Sequence, residues 1–235
     1  MQQLNWENKF QNKLNLTENN YNTILKTINN EENKNKLYII PIEIKRTLKK
    51  EFIEQNPTFA TNLEEVLKIF VLSNGPMGYK SGMSFIGKMI LKLTNNDKVK
   101  TFIILRNIFE NKYIKDMYMN NFDYIKETID KNFKEKMPLL YNHFEKYKIN
   151  LFLIYGCNWV MTLFSILKCD VGEYIFKLFI ERGEDFNIYF DSIFAILKIF
   201  ENELLNKKDL EIYSFQIDEN IDMNRFIDNL NNFNK

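Results

Sequence analysis

The amino-acid sequence predicts an all-α protein, with roughly a dozen helices gathered into one body. Three observations predict it. Apolar residues return at three- and four-residue spacing along nearly the whole chain, the period of a helix with one buried face. Gly and Pro number only 7 and 4 among 235 residues, too few to supply the turns of an all-β architecture. With 45% hydrophobic residues and 21 Phe, the chain can bury a substantial core, as one domain or a domain with a short appendage. No repeat of about 20–50 residues stands out, so a solenoid is not supported.

Taken in order, Trp6, Phe10 and Leu14 space as one helical face, and Tyr21, Ile24, Leu25 and Ile28 as a second. Residues 31–36 read as a polar connector. Over residues 40–53, Ile42 and Ile44 suggest an extended start, and Pro41 limits where a helix can begin. Leu63, Val66, Leu67 and Phe70 form an amphipathic helix, with Thr61 or Asn62 as N-cap and Glu64-Glu65 in its first turn. Asn96 or Asp97 caps a helix over 99–109, and another runs over 122–133. Pro138 opens the next at its first turn, with Leu139, Leu140, Phe144 and Tyr147 as its apolar set. Residues 149–167 carry no charge and lie between Lys148 and Lys168. That length only reaches the membrane-span threshold of about 18–20 residues. Asn150, Asn158 and the Gly156-Cys157-Asn158 break favour two buried helix pieces joined by a kink. A helix over 171–180 ends at Gly183, and 185–205 is long and apolar on one side. Beyond it, Ile217, Ile221, Phe226, Ile227 and Leu230 read as a last helix or a tethered tail. The Asn-rich stretches 29–35 and 229–234 read as loops or frayed ends.

The formal charge is +1, from 32 basic and 31 acidic residues, which makes no electrostatic case for nucleic acid. On its own, the run Lys45-Arg46 with Lys49-Lys50 is a solvated helix face. Cys157 and Cys169 have no metal-like spacing and read as two buried thiols of a reducing compartment. Residues 1–6 lack the apolar stretch of a signal peptide. The single histidine, His143, reads as a packing residue, so no Ser-His-Asp or Cys-His site can be assembled. No phosphate-binding G-x-x-x-x-G-K-[ST] loop occurs, and Glu64-Glu65 reads as solvated. What is left is a helical domain without self-contained chemistry: a binding module, or a protein that completes another protein's active site.

The stretch Gly78-Tyr79-Lys80-Ser81-Gly82-Met83-Ser84-Phe85-Ile86-Gly87 holds 3 of the 7 glycines and follows Asn74-Gly75-Pro76, a loop signal. Alone it describes a glycine-lined corner entering a helix. In context, Gly78-Tyr79-x-Ser81-Gly82-Met83 resembles the G-Y-x-Q-G-M signature of TBC domains, the Rab GTPase-activating family. Upstream, Ile40-x-x-Glu43-x-x-Arg46-Thr47-Leu48 resembles that family's I-x-x-D-x-x-R-T-F, and Leu63-x-x-Val66-Leu67 its L-x-x-V-L helix. Trp6 with Tyr21-x-x-Ile24-Leu25 is similar to the opening W…Y-x-x-L-L. Downstream, Pro138-x-Leu140-x-x-His143 resembles P-x-L-x-x-H-L, and Trp159-x-x-Thr162-Leu163-Phe164 resembles W-x-x-T-L-F. Residues 171–183 stand where the family has R-I-W-D-x-F-L-x-x-G, and Phe190-x-x-Ile193-Phe194-Ala195-Ile196-Leu197 resembles its A-x-A-I-L helix. These motifs run in family order over residues 6–205.

The resemblance implies an all-α TBC-like domain over residues 1–205, with 206–235 a C-terminal helix or tail packed on it or extending from it. It implies a cytoplasmic protein, at most peripheral to membranes, whose partner is a Rab-family small GTPase. GTP and Mg²⁺ belong to that partner, and the domain needs no cofactor of its own. Such domains insert an arginine and a glutamine into the partner's nucleotide pocket. Arg46 matches the arginine finger and Ser81 the glutamine position, with Glu43 supporting the arginine and Tyr79, Gly82 and Met83 shaping the loop. The departures are Ser81 for glutamine, Glu43 for aspartate, and Tyr174, Phe176 and Lys177 for the R, W and D of R-I-W-D. Two functions stay open: a GTPase activator using Arg46 with the partner's own glutamine, or an inactive TBC domain serving as a Rab-binding adaptor or structural subunit. Which Rab it serves and its oligomeric state are not written in the sequence.

Overall fold

The computed structural model describes residues 4–119, 122–167, 169–217 and 221–233, and within these every regular element is helical. In chain order they are α1 (Trp6–Lys9), α2 (Glu18–Leu25), α3 (Glu31–Leu37), α4 (Ile40–Thr47), α5 (Lys50–Gln55), α6 (Pro57–Ser73), α7 (Met83–Leu93), α8 (Lys98–Ile108) and α9 (Lys112–Met119). There follow α10 (Asp123–Lys136), α11 (Pro138–Lys146), α12 (Cys157–Met161), α13 (Val171–Glu181), α14 (Asn187–Leu205), α15 (Asp209–Tyr213) and α16 (Met223–Phe233). A 3₁₀ turn, Gly75–Met77, precedes α7, and a π-helical turn, Phe152–Gly156, runs into α12.

The chain divides into two compact units: Phe10–Asn120, and Met1–Lys9 together with Asn121–Lys235. In the Phe10–Asn120 unit the hub is α6, which packs against α2, α3, α4, α5, α7 and α8. Its Leu63, Val66, Leu67, Ile69 and Phe70 are fully buried, each such side chain contributing about 1.5–3 kcal/mol. Gly87 lets α7 lie close to α6, since a Cβ there would stand 3.1 Å from both Leu63 Cδ1 and Leu67 Cδ2. In the other unit the hub is α14, against which α10, α11, α13 and α16 pack. From Ile188 to Leu197 every residue of α14 is buried, as expected of a helix segment apolar nearly all round, while Lys198, Asn202 and Glu203 near its C-terminal end are exposed. Lys136 of α10 is ion-paired to the buried Asp191 of α14 at 2.5 Å. The helix α16 lies along α14: Phe226 and Leu230 are buried, Arg225 Nη2 donates to the Ile199 carbonyl (3.0 Å) and Asn229 Nδ2 to that of Ala195 (3.2 Å).

Several local expectations are corrected. Residues 31–36 are not a connector but most of α3. There is no extended start at Ile42: Pro41 sits in the first turn of α4, where its missing N–H costs nothing. Only Trp6 of the first apolar triplet is helical, because α1 stops at Lys9. The α6 helix begins five residues before Thr61-Asn62, at Asn56-Pro57. Asp97 does cap α8, its carboxylate accepting from Lys100 N at 2.9 Å. In the uncharged stretch, Gly156-Cys157-Asn158 is continuous helix, and the break comes at Leu163 and Phe164, both left-handed (φ 48° and 62°). No helix among the described residues is long and apolar enough to cross a membrane. Cys157 and Cys169 are half-buried, not buried. His143 sits as a packing residue: its Nε2–H donates to the Lys207 carbonyl at 2.8 Å, and the ring meets Tyr147 edge-on.

Candidate functional site

The α4 helix turns Ile40, Ile44 and Thr47 inward and leaves Lys45 and Arg46 outside. Glu43 sits one turn before Arg46 on the same side of the helix. Its carboxylate takes Arg46 Nη1 at 2.7 Å; the arginine side chain is 70% exposed and the glutamate only 12%. The second carboxylate oxygen accepts from Tyr79 Oη at 3.4 Å. Glu43 therefore joins the helix bearing Arg46 to the glycine loop, across 36 residues of sequence.

Two glycines shape that loop. Gly78 has φ +61° and ψ −160°, and Gly82, the residue before α7, has φ +94°, backbone that a side chain would strain. Met83 is fully buried, and its sulfur accepts from Lys80 N at 3.2 Å. Upstream, Arg106 Nη1 donates to Asn74 Oδ1 at 2.7 Å and its Nη2 pairs with Glu110, fixing the start of the loop to α8. Ser81 is exposed at the tip. No hydrogen bond joins it to Arg46, Glu43 or Tyr79.

Sequence reasoning assigned no role to Ser84 or Thr47, yet the two tie α4 to α7 through a buried hydroxyl pair, 2.6 Å apart. Ser84 was visible only as one polar residue inside the apolar run Met83 to Ile86. Tyr79 also bonds to Ser84. Burial pushes the Tyr79 phenol up to about 12; the Ser84 bond opposes this and the Glu43 charge reinforces it. It is thus a neutral donor at physiological pH. On α7, burial first and then the neighbouring charges of Lys92 and Lys49 hold the Lys88 ammonium below its ordinary value. No group of three or more metal-ligating side chains occurs among the described residues. The arrangement sets an exposed arginine, ion-paired to a mostly buried glutamate, beside the glycine loop.

A profile of the Rab-GTPase-TBC domain matches residues 1–205. This chain belongs to that family. Among curated TBC relatives, it is 26% identical over 178 residues to TBC1 domain family member 2B of Mus musculus, covering 72% of this chain and 18% of that protein. The Homo sapiens protein of the same name is 27% identical over 153 residues, covering 63% of this chain and 15% of its own length. The chain therefore spans under a fifth of the curated relatives it matches. Two solved TBC domains share its fold. The Chlamydomonas flagellar RabGAP TBC domain superposes with a TM-score of 0.74 at 20% identity, over 89% of this chain and 70% of that one. The Ypt/Rab-GAP domain of Gyp1p does so with a TM-score of 0.76 at 15% identity, over 97% and 79%.

Proposed function

We propose that this TBC domain engages a GTP-loaded Rab-type GTPase and stimulates its hydrolysis with Arg46 as arginine finger. The observation that carries the reading is the Arg46 guanidinium, exposed yet tied through Glu43 to Tyr79 of the glycine loop. Arginine suits the task because its planar charged fork cannot be deprotonated and matches phosphate oxygens. GTP and Mg²⁺ are carried by the partner. Ser81 ends about two carbons and an amide short of a glutamine, so the attacking water is oriented by the partner's own glutamine. Tyr79, Gly82 and Met83 hold the loop in shape, and the protein acts in the cytoplasm, at most peripherally on membranes.

The exposed Ser81, too short to replace a glutamine, favours one second reading, an inactive domain that serves as a Rab-binding adaptor or as a structural subunit of a larger assembly. Single-turnover GTP hydrolysis across a Rab panel separates the two. Under the first reading at least one Rab is accelerated, and Arg46→Ala removes most of an effect that reaches ~10³–10⁵ for arginine fingers. Ser81→Gln then raises turnover further. GTP-selective binding without acceleration establishes the adaptor instead, and the absence of both sinks the activator and the adaptor alike, leaving the structural subunit.

A further inference from the structure

The helices α3 and α4 are almost one helix. Tyr38 and Ile39 between them keep right-handed helical dihedrals (φ −58°, ψ −29° and φ −73°, ψ −26°). Only the hydrogen-bond ladder is interrupted, where Pro41 lacks its N–H. Along this rod Leu37, Ile40, Ile44 and Thr47 turn inward. Positions 38, 42 and 46 follow at four-residue spacing on the opposite face. Of the large apolar side chains described in the Phe10–Asn120 unit, the two most exposed are Tyr38 (68%) and Ile42 (44%). Both lie on the face of Arg46, about 12 and 6 Å before it along the axis. Neither makes a side-chain hydrogen bond or ring contact within the described residues, and nothing in the unit's core requires them.

We infer that Tyr38 and Ile42 are an apolar anchor that docks against the partner GTPase on surface bordering its nucleotide pocket. The inference rests on the reading of Arg46 given above. A guanidinium reaching a partner's phosphates carries its own helix face against that partner, so side chains one and two turns back are pressed onto it. The complementary patch is therefore apolar and lies within about 12 Å of the pocket mouth. Large exposed apolar and aromatic side chains at such a place are the usual carriers of interface energy. Arg46 is the catalytic residue; Tyr38 and Ile42 supply affinity and partner choice.

The test uses the full chain and the Rab panel, each member loaded with GTP for turnover and with a non-hydrolysable GTP analogue for binding. Ile42→Asp and Tyr38→Ser are expected to raise KM or Kd roughly tenfold each and leave kcat within about twofold. Ile42→Leu retains wild-type affinity, and Arg46→Ala lowers kcat instead. Unchanged thermal melting of the variants shows that folding is not the cause. If Ile42→Asp and Tyr38→Ser bind as wild type while Arg46→Ala abolishes acceleration, the anchor is overturned and the finger stands. If wild type neither accelerates nor binds any member of the panel, the finger is overturned and the anchor falls with it.

Discussion

At Glu65 a carboxylate expected to be solvated is a junction. It accepts from Tyr21 Oη at 2.6 Å and Lys98 Nζ at 2.7 Å, joining α2 and α8 to α6. Burial alone raises its pKa, but the bonds from Lys98 and Tyr21 and the charges of Lys98 and Lys68 outweigh that and hold it below the usual glutamate value. A carboxyl depressed in the fold adds stability that is complete above its unfolded pKa and is lost as pH falls through the folded one. Glu65→Gln should therefore lower the urea midpoint at pH 7 and lose less at pH 4 and below; a gap that stays constant over that range would refute the assignment. The same residue shows what sequence could not say. Glu64 and Glu65 are adjacent acids in one helix, and only the arrival of Tyr21 and Lys98, 44 and 33 residues away, separates a junction from a solvated neighbour. The motif residues were easier to read: Glu43, Arg46 and Tyr79 stood out as a pattern, with Glu43 beside the arginine, though the reach of Tyr79 to Glu43 did not. The Thr47–Ser84 contact was not legible, because two hydroxyls 37 residues apart carry no spacing signature.

Among the elements, those with a clean helical period were legible, and their ends were not. The α3 helix escaped notice because it buries only Asn33 and Leu37, too few positions to make a period. Ile42 and Ile44 mimicked a strand because Ile42 faces water and so adds an apolar residue out of phase with the core. The break after α12 sits at non-glycine residues, which sequence rules assign to glycine. There the left-handed Leu163-Phe164 pair drives the Phe164 carbonyl toward α13, so that a Cβ on Gly172 would stand 2.4 Å from that oxygen. Backbone cannot yield as a side-chain tip does. Gly172→Ala should cost about 1–3 kcal/mol, a fall in Tm of roughly 2–4 °C per kcal/mol for a chain of this size. An unaltered melting curve would mean that the α13 approach is not close.

For the whole molecule, the family match ends at residue 205, while packing continues beyond it. Phe226 of α16 is fully buried and meets Tyr174 edge-on, with ring centroids 6.2 Å apart. Tyr174, which the motif reading matches to the family's arginine, takes part here in an aromatic contact. Phe226→Ala should destabilise the protein by about 3–5 kcal/mol, read as a lowered denaturation midpoint; a loss under about 1 kcal/mol would make α16 an appendage rather than part of the core.

The Glu43–Arg46 bond has a last consequence, in conformational entropy. A free arginine side chain holds about 2 kcal/mol of rotamer freedom, which full immobilisation forfeits. An exposed ion pair is worth only about 0–1 kcal/mol. The pair is therefore too weak to lock the guanidinium and strong enough to thin out its rotamers before any partner arrives. In the proposed role of Arg46, part of the ordering cost of docking would be met during folding, and the remaining looseness would let the fork leave Glu43 for a phosphate.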